Sequence, residues 1–367
     1  MKNFLTLFPE CKNIELIKDV CQIPYILGKE HELETAVVVS DNLYIPGNNL
    51  EYVKGLNIIK IPMIMKNKNI TGLLYILKHA KKIDWLNLYH CGRASFYETK
   101  LFKFLNPNGK VYLKLDMDFR SCDLLDTNKR ERKIFLKNMD IMDLVTVETE
   151  LVRKRIQKYS STNIQIIGNG YCKTEEIINV KGKRDNVFLT VGRLGSQQKG
   201  TEILLEAFAK SAEKHNWKLK LVGSIENHFR PFIDSYYKLH PELINRVIFT
   251  GEILKREKLY STYCKSKVFI LPSRWEGFPI VSGECLSCGC KVIVSDQVPA
   301  QNEMTRKGKY GLIIPVNDIN ALSNAMVEIS KTKFSPELSA EISEYANKQF
   351  SWSIICNKLY NLLMNHK

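Results

Sequence analysis

Thirteen short apolar runs, most closed by glycine, proline or a polar turn, alternate with helix-period stretches along this chain. Little but a parallel α/β architecture satisfies that pattern. Strands covered on both faces read as unbroken apolar runs, and each parallel neighbour needs a crossover helix between. The first series of predicted strands is Phe4–Phe8, Ala36–Val39, Ile58–Ile61, Trp85–Tyr89, Val111–Leu115, Leu144–Val147 and Ile164–Ile167. Helices are predicted between them at Ile14–Cys21, Thr71–Lys82, Ser95–Phe104, Arg130–Met139 and Glu148–Tyr159. Gly168-Asn-Gly170 ends this series, and the polar, basic stretch Tyr171–Asp185 reads as a linker. A second series follows at Val187–Val191, Leu219–Val222, Val247–Phe249, Val268–Leu271, Lys291–Val294 and Gly311–Ile314, with intervening helices that include Thr201–His215 and Gly283–Ser287.

The expectation is two facing, doubly wound Rossmann-like domains, residues 1–170 and 186–349, with ligands in the interdomain cleft. The tail Phe350–His366 reads as an amphipathic helix, with Trp352, Ile355, Leu359, Leu362 and Leu363 at helical spacing.

A net charge of +15 invites a nucleic-acid reading, but the charge is spread over both halves and neither is a basic tail. Anionic small molecules or an anionic membrane face account for it equally well. No secretory pattern opens the chain, and no apolar run approaches the ~20 residues of a spanning helix. A cytoplasmic chain with reduced cysteines is expected. Cys285, Cys288 and Cys290 stand as C-x2-C-x-C without a second Cys/His pair nearby, so they read as buried thiols rather than a metal site.

The chemistry concentrates in the second half. Glu276 falls in the loop after the strand Val268–Leu271, and Glu284 in the first turn of the helix behind it. The strand ends of open α/β sheets are where ligands bind, and two acids beside the Gly277-Phe278-Pro279 backbone suit a polyhydroxyl ligand. Strand Val187–Val191 runs into Gly192-Arg193, and Lys199-Gly200 precedes the next helix. Glycines, unpaired N–H groups at a helix start and two cations suit a diphosphate. Gly223 and Gly251 close two further strands, bringing bare backbone to the same edge. In the first half, Trp85–Tyr89 delivers His90 at a strand end. Asp116-Met-Asp118 reads as a turn rather than a metal motif, and Lys129–Leu136 as a basic helix face that could rest on anionic lipid.

These residues converge on a family. Gly192-Arg193…Lys199-Gly200, Pro272-Ser-Arg-Trp-Glu-Gly-Phe-Pro279, the E-x7-E pair Glu276/Glu284 and Gly289…Asp296…Glu303 stand in order. The chain resembles the retaining, family-4-type glycosyltransferases of the GT-B fold (glycosyl transferases group 1). The resemblance implies that Arg193 and Lys199 hold the diphosphate of a nucleotide sugar, most plausibly a UDP-sugar. It assigns Glu284 to the ribose and Glu276 with the Gly277–Pro279 backbone to the donor sugar. His90 matches the family's first-domain histidine, and Phe350-Ser-Trp352 opens a terminal helix that returns to the first domain. It also implies a saccharide or lipid-linked acceptor, no metal and no other cofactor. The family often carries paired glycines after the first strand; here that stretch is Leu7-Phe-Pro-Glu-Cys-Lys12. A catalytically silent nucleotide-binding partner and a nucleotide-sugar epimerase are the alternative readings.

Overall fold

The first sheet holds seven strands: β1 (Asn3–Leu7), β2 (Glu34–Ser40), β3 (Asn57–Ile61), β4 (Trp85–Tyr89), β5 (Lys110–Lys114), β6 (Leu144–Val147) and β7 (Ile164–Ile166). The second holds six: β8 (Asp185–Val191), β9 (Lys218–Val222), β10 (Val247–Gly251), β11 (Ser266–Leu271), β12 (Lys291–Ser295) and β13 (Gly311–Ile314). This computed structural model describes residues 2–41, 51–172 and 182–366. The chain divides into two units, Met1–Cys172 with Phe350–Lys367, and Lys173–Gln349.

All strand pairs are parallel, in the orders β3-β2-β1-β4-β5-β6-β7 and β10-β9-β8-β11-β12-β13. In each sheet the order reverses beside its first strand, between β1 and β4 and between β8 and β11. At such a switch point the connections leave in opposite directions and open a crevice at the carboxyl ends of the strands. Helices cover both faces of the first sheet. Lys68–His79, Arg93–Leu105 and Lys129–Met139 bury Ile76, Phe102, Phe135 and Met139 on one side. Asp19–His31 and Trp352–Met364 pack against each other on the other side, with Ile23, Leu27, Cys356 and Leu359 fully buried. Trp352 covers Gly170, where a Cβ would lie 2.5 Å from the indole ring.

Three departures from the sequence reading have plain causes. Residues 13–17 form a 3-10 turn, and the helix that follows, Asp19–His31, runs straight through Pro24. An interior proline costs about 3 kcal/mol. Burying Ile23, Ile26 and Leu27 returns roughly 1.5–3 kcal/mol each, so packing wins. Phe119–Thr127 is an additional helix, capped by Asp118, whose Oδ1 accepts the Ser121 N–H at 2.8 Å. In the basic run, Phe135 is buried in the core and Leu136 packs against it. Arg132 turns back to the Leu125 carbonyl and stacks on Tyr159. That helix therefore has no free apolar face to offer a membrane.

Residues 173–181 of the expected linker lie outside the described residues. Of its remaining part, Tyr171 is buried and donates its N–H to the Phe350 carbonyl at 3.0 Å, and Arg184 is buried against the carbonyls of Ser266 and Cys288.

Candidate active site

At the switch point of the second unit, the loops after β8 and β11 are sewn together. The Arg274 N–H donates to the Gln198 carbonyl at 2.7 Å, and the Gln198 amide donates to the Trp275 carbonyl at 3.0 Å. The Arg274 guanidinium reaches the Gln197 carbonyl, Glu202 and Asn317. This frame brings Lys199 and Glu276, far apart in sequence, to 2.5 Å between Nζ and Oε1. Glu276 also accepts from Ser273 Oγ at 2.8 Å and from the Gln198 amide at 3.3 Å. Its carboxylate is buried yet fully partnered, which is the condition under which a charge survives in a protein interior.

The floor is bare backbone. The Gly192 N–H donates to the Val222 carbonyl and the Gly223 N–H to the Gly251 carbonyl, so the three glycines form a step across adjacent strand ends. Gly223 has φ +142°, and a Cβ there would lie 1.8 Å from the Gly192 oxygen. Only glycine fits. Gly200, at φ +58°, opens the helix Thr201–Ser211 with its N-terminus at this edge. Gly277, Phe278 and Pro279 lead into the next helix, with Phe278 buried.

Glu284 is on the helix Ile280–Ser287, which starts three residues earlier than the sequence indicates. Pro279 is the residue before it, so Glu284 lies in the second turn rather than the first. The carboxylate is buried, ion-paired to Arg256 and hydrogen-bonded by the Tyr263 hydroxyl at 3.0 Å. Burial, with the Glu284 charge beside it, pushes the Tyr263 hydroxyl well above its ordinary pKa, so it remains a donor. Arg256 and Tyr263 were not singled out from the sequence; an arginine two turns before a buried tyrosine carries no local signature. Cys285, Cys288 and Cys290 are fully buried. Among the described residues no group of three or more His, Cys, Asp or Glu is arranged to hold a metal ion.

His90 is in the first unit, immediately after β4 at φ +60°, with its N–H on the Lys114 carbonyl. It is exposed and lines a cavity at the β1/β4 switch point. Asp116 is in a left-handed turn after β5 and Asp118 is spent on its helix cap. Below this edge lies a buried ion triad. Lys114 meets Glu148 at 2.5 Å and Asp19 at 3.3 Å, and donates to Asn169 at 2.9 Å. Burial opposes the lysine's charge, but Glu148 and Asp19 outweigh it and raise its pKa.

The sequence pattern of the family Glycosyl transferases group 1 matches residues 173–349, the whole of the second unit. The chain carries a group 1 glycosyl transferase domain. Over 161 residues, 43% of this chain and 40% of its relative, it is 38% identical to the UDP-Gal:alpha-D-GlcNAc-diphosphoundecaprenol alpha-1,3-galactosyltransferase of Escherichia coli. The amylovoran biosynthesis glycosyltransferase AmsD of Erwinia amylovora is 24% identical over 72% of this chain and 74% of its own length. Anabaena Alr3699/HepE, solved in complex with UDP, superposes over 99% of this chain and 100% of its own, with a TM-score of 0.73 and 17% identity. At that identity the likeness carries the fold, which is GT-B.

The group 1 domain therefore contains Gly192, Arg193, Lys199, Gly223, Gly251, Glu276 and Glu284 at one sheet edge, while His90 belongs to the other unit.

Proposed function

We propose that the protein transfers a sugar from a nucleoside-diphosphate sugar, most plausibly a UDP-sugar, to a saccharide or lipid-linked saccharide in surface polysaccharide assembly, with retention of anomeric configuration. The observation that carries it is the Lys199–Glu276 ion pair, held over a glycine floor at the β8/β11 switch point.

The chemistry follows from the arrangement. A diphosphate entering beside Arg193, Lys199 and the N-terminus of Thr201–Ser211 gains cationic partners and N–H donors where charge develops as it leaves. Lys199 is neutralised by Glu276 before the donor arrives, so it can turn to phosphate while Ser273 and Gln198 retain the carboxylate. Glu276 with the Gly277–Pro279 backbone then orients the sugar, and Glu284, fixed by Arg256 and Tyr263, receives the ribose hydroxyls. The bond from the anomeric carbon to the diphosphate oxygen breaks, the acceptor oxygen bonds on the same face, and its proton passes to a phosphate oxygen. His90 takes the part of the family's first-domain histidine. No metal enters this scheme.

No helix among the described residues is long and apolar enough to cross a membrane. For a lipid-linked acceptor we propose peripheral attachment through the helix Arg93–Leu105. There Tyr97 (59% exposed) and Phe104 (81% exposed) alternate with exposed Arg93 and Lys100 along one face. Aromatic and basic side chains on one face are the composition of an interfacial helix.

A nucleotide-sugar panel scored by donor hydrolysis and thermal shift tests the reaction. Lys199→Ala should weaken UDP by about 2–5 kcal/mol, since it removes a charge-assisted phosphate contact. Glu276→Gln should spare free UDP and lower turnover. Unchanged UDP affinity in Lys199→Ala, or turnover that leaves the sugar attached to the nucleotide, would show the assignment to be wrong. The second outcome would identify an epimerase instead.

A further inference from the structure

The two helices that hold Glu284 meet again at a cluster of thiols. Helix Arg256–Lys265 supplies Arg256 and Tyr263 to the carboxylate, and helix Ile280–Ser287 carries it. The residue after Tyr263 is Cys264, which is half-buried; the residue after the second helix is Cys288, which is fully buried. The Cys288 thiol donates to the Tyr260 carbonyl at 3.7 Å. Tyr260 is one turn before Cys264 on the same helix face, so the two thiols are neighbours, and they share a hydrogen bond.

A cation stands where they meet. The Arg184 guanidinium is buried, gathers the carbonyls of Tyr263, Ser266 and Cys288, and lies 3.8 Å from the Cys290 sulfur. Gly289, at φ +79°, makes room for it: a Cβ there would lie 2.9 Å from a guanidinium nitrogen and 2.5 Å from the Ser339 carbonyl oxygen. The end of a helix ordinarily disfavours an anion, because its last carbonyls are unpaired. Here the arginine covers them. The hydrogen bond from Cys288, with the Arg184 charge, outweighs burial and holds the Cys264 thiol below its ordinary pKa. Burial pushes Cys288 well up, and Cys290 up to about 12 with its S–H on the Tyr263 and Ser266 carbonyls. One thiol is thus accessible and activated beside a buried one that keeps its proton, the division of labour of a redox-sensing pair. Cys11 and Cys21 are also neighbours, but both are buried, and their contact with burial pushes Cys21 well above its ordinary pKa.

We propose that Cys264 and Cys288 are an oxidisable dithiol, converted by hydrogen peroxide to a disulfide that weakens nucleotide binding. The Cys264 thiolate attacks one peroxide oxygen: the S–O bond forms, the O–O bond breaks, and the second oxygen leaves as hydroxide and takes up a proton. The sulfur gives up the electron pair by which the peroxide is reduced. The Cys288 sulfur then attacks the sulfenic sulfur, the S–S bond forms, and water leaves with the Cys288 proton. Two thiols and one peroxide yield one disulfide and two waters. Closing the sulfurs from a non-bonded separation to about 2.05 Å draws the end of Arg256–Lys265 toward Cys288. Tyr263 adjoins Cys264 and moves with it, so Glu284 loses the hydroxyl that orients it. The effect on nucleotide rests on the Glu284–ribose assignment under Proposed function; the modification does not.

The test treats the full, reduced chain with rising hydrogen peroxide and maps its cysteines by mass spectrometry after non-reducing digestion. The Cys264–Cys288 disulfide should form first, with Cys11 and Cys21 still reduced when half of it has formed. Cys288→Ala should leave a sulfenic acid on Cys264, trapped by dimedone, and Cys264→Ser should give neither product. Oxidised wild type should bind UDP about tenfold more weakly than reduced, with recovery in dithiothreitol, and Cys264→Ser should bind UDP alike with and without peroxide. Cysteines that all react together, a first disulfide that excludes Cys264, or a Cys264–Cys288 disulfide that leaves a measurable UDP affinity unchanged would overturn the proposal. A chain that forms this disulfide but binds UDP in neither state would refute the donor reading and leave the oxidisable pair standing.

Discussion

Glu98, on the helix Arg93–Leu105 and buried over Gly72, makes the stability of the first unit depend on pH in an unusual direction. Its carboxyl is raised from an ordinary 4.5 to about 7 by burial, with Lys68 opposing. Between those two values the folded chain holds a proton that the unfolded chain has released, so stability falls as pH rises. At 1.36 kcal/mol per unit the full difference is about 3 kcal/mol, of which about 2–3 kcal/mol develops between pH 5 and 8. Glu98→Gln keeps the shape and removes the titration. Urea unfolding should be followed by tryptophan fluorescence in a background with Trp217 and Trp275 changed to phenylalanine, leaving Trp85 and Trp352, both buried in the first unit. The variant should gain about 2–3 kcal/mol on wild type between pH 5 and 8, most of it below pH 7. The absolute offset at pH 5 is immaterial, because it reflects how the amide packs. A difference that stays constant across this range would mean that Glu98 titrates normally, and would refute the effect assigned to its burial.

Three other outcomes are expected. Gly223→Ala should lower stability by about 2–4 kcal/mol in thermal unfolding, since it forces a Cβ into the Gly192 carbonyl at φ +142°; a melting temperature within a degree of wild type would contradict the close approach. Lys114→Ala leaves Asp19 and Glu148 buried without a counter-charge and should cost about 3–5 kcal/mol, whereas Lys114→Ala with Glu148→Leu should recover part of it. Liposome co-sedimentation should show binding to anionic but not neutral vesicles, diminished by Tyr97→Ser with Phe104→Ser and unaffected by Arg130→Glu with Lys133→Glu; equal partition into both lipids would remove the membrane proposal.

Strands were legible because a buried strand must be apolar throughout: Trp85–Tyr89 is buried at every position and reads so in one dimension. The strand-end residues Gly192, Gly223, Glu276 and His90 were legible for the same reason, since each follows such a run. What escaped is long-range. Lys199 and Glu276 meet only because β8 and β11 are neighbours in the sheet, and neither the ion pair nor Ser273 and Gln198 around it leaves a trace in spacing. Helix Asp19–His31 was hidden by Pro24, a local breaker overridden by contacts with a helix over three hundred residues away. Nothing in the sequence around Glu98 singled it out. The signal that could have exposed it was on another segment, the isolated Gly72 within a helical pattern, which marks a close approach of something from outside.

The first unit is assembled from both ends of the chain. Its last helix, Trp352–Met364, buries Leu359 and Cys356 against Ile23 and its neighbours, and Tyr171 reaches across to Phe350. On the ribosome, the segment 2–172 therefore emerges with only Asp19–His31 over one face of its sheet, and waits for Trp352–Met364 while the whole second unit is made. During that interval Phe4, Trp85 and Leu27 present an apolar surface to whatever is near, a natural target for chaperones. The second unit, Lys173–Gln349, is continuous in sequence and is free to close on itself first. Completion of the first unit therefore waits for Trp352–Met364: a chain without that helix would join a finished second unit to an open-faced partner, visible to limited proteolysis.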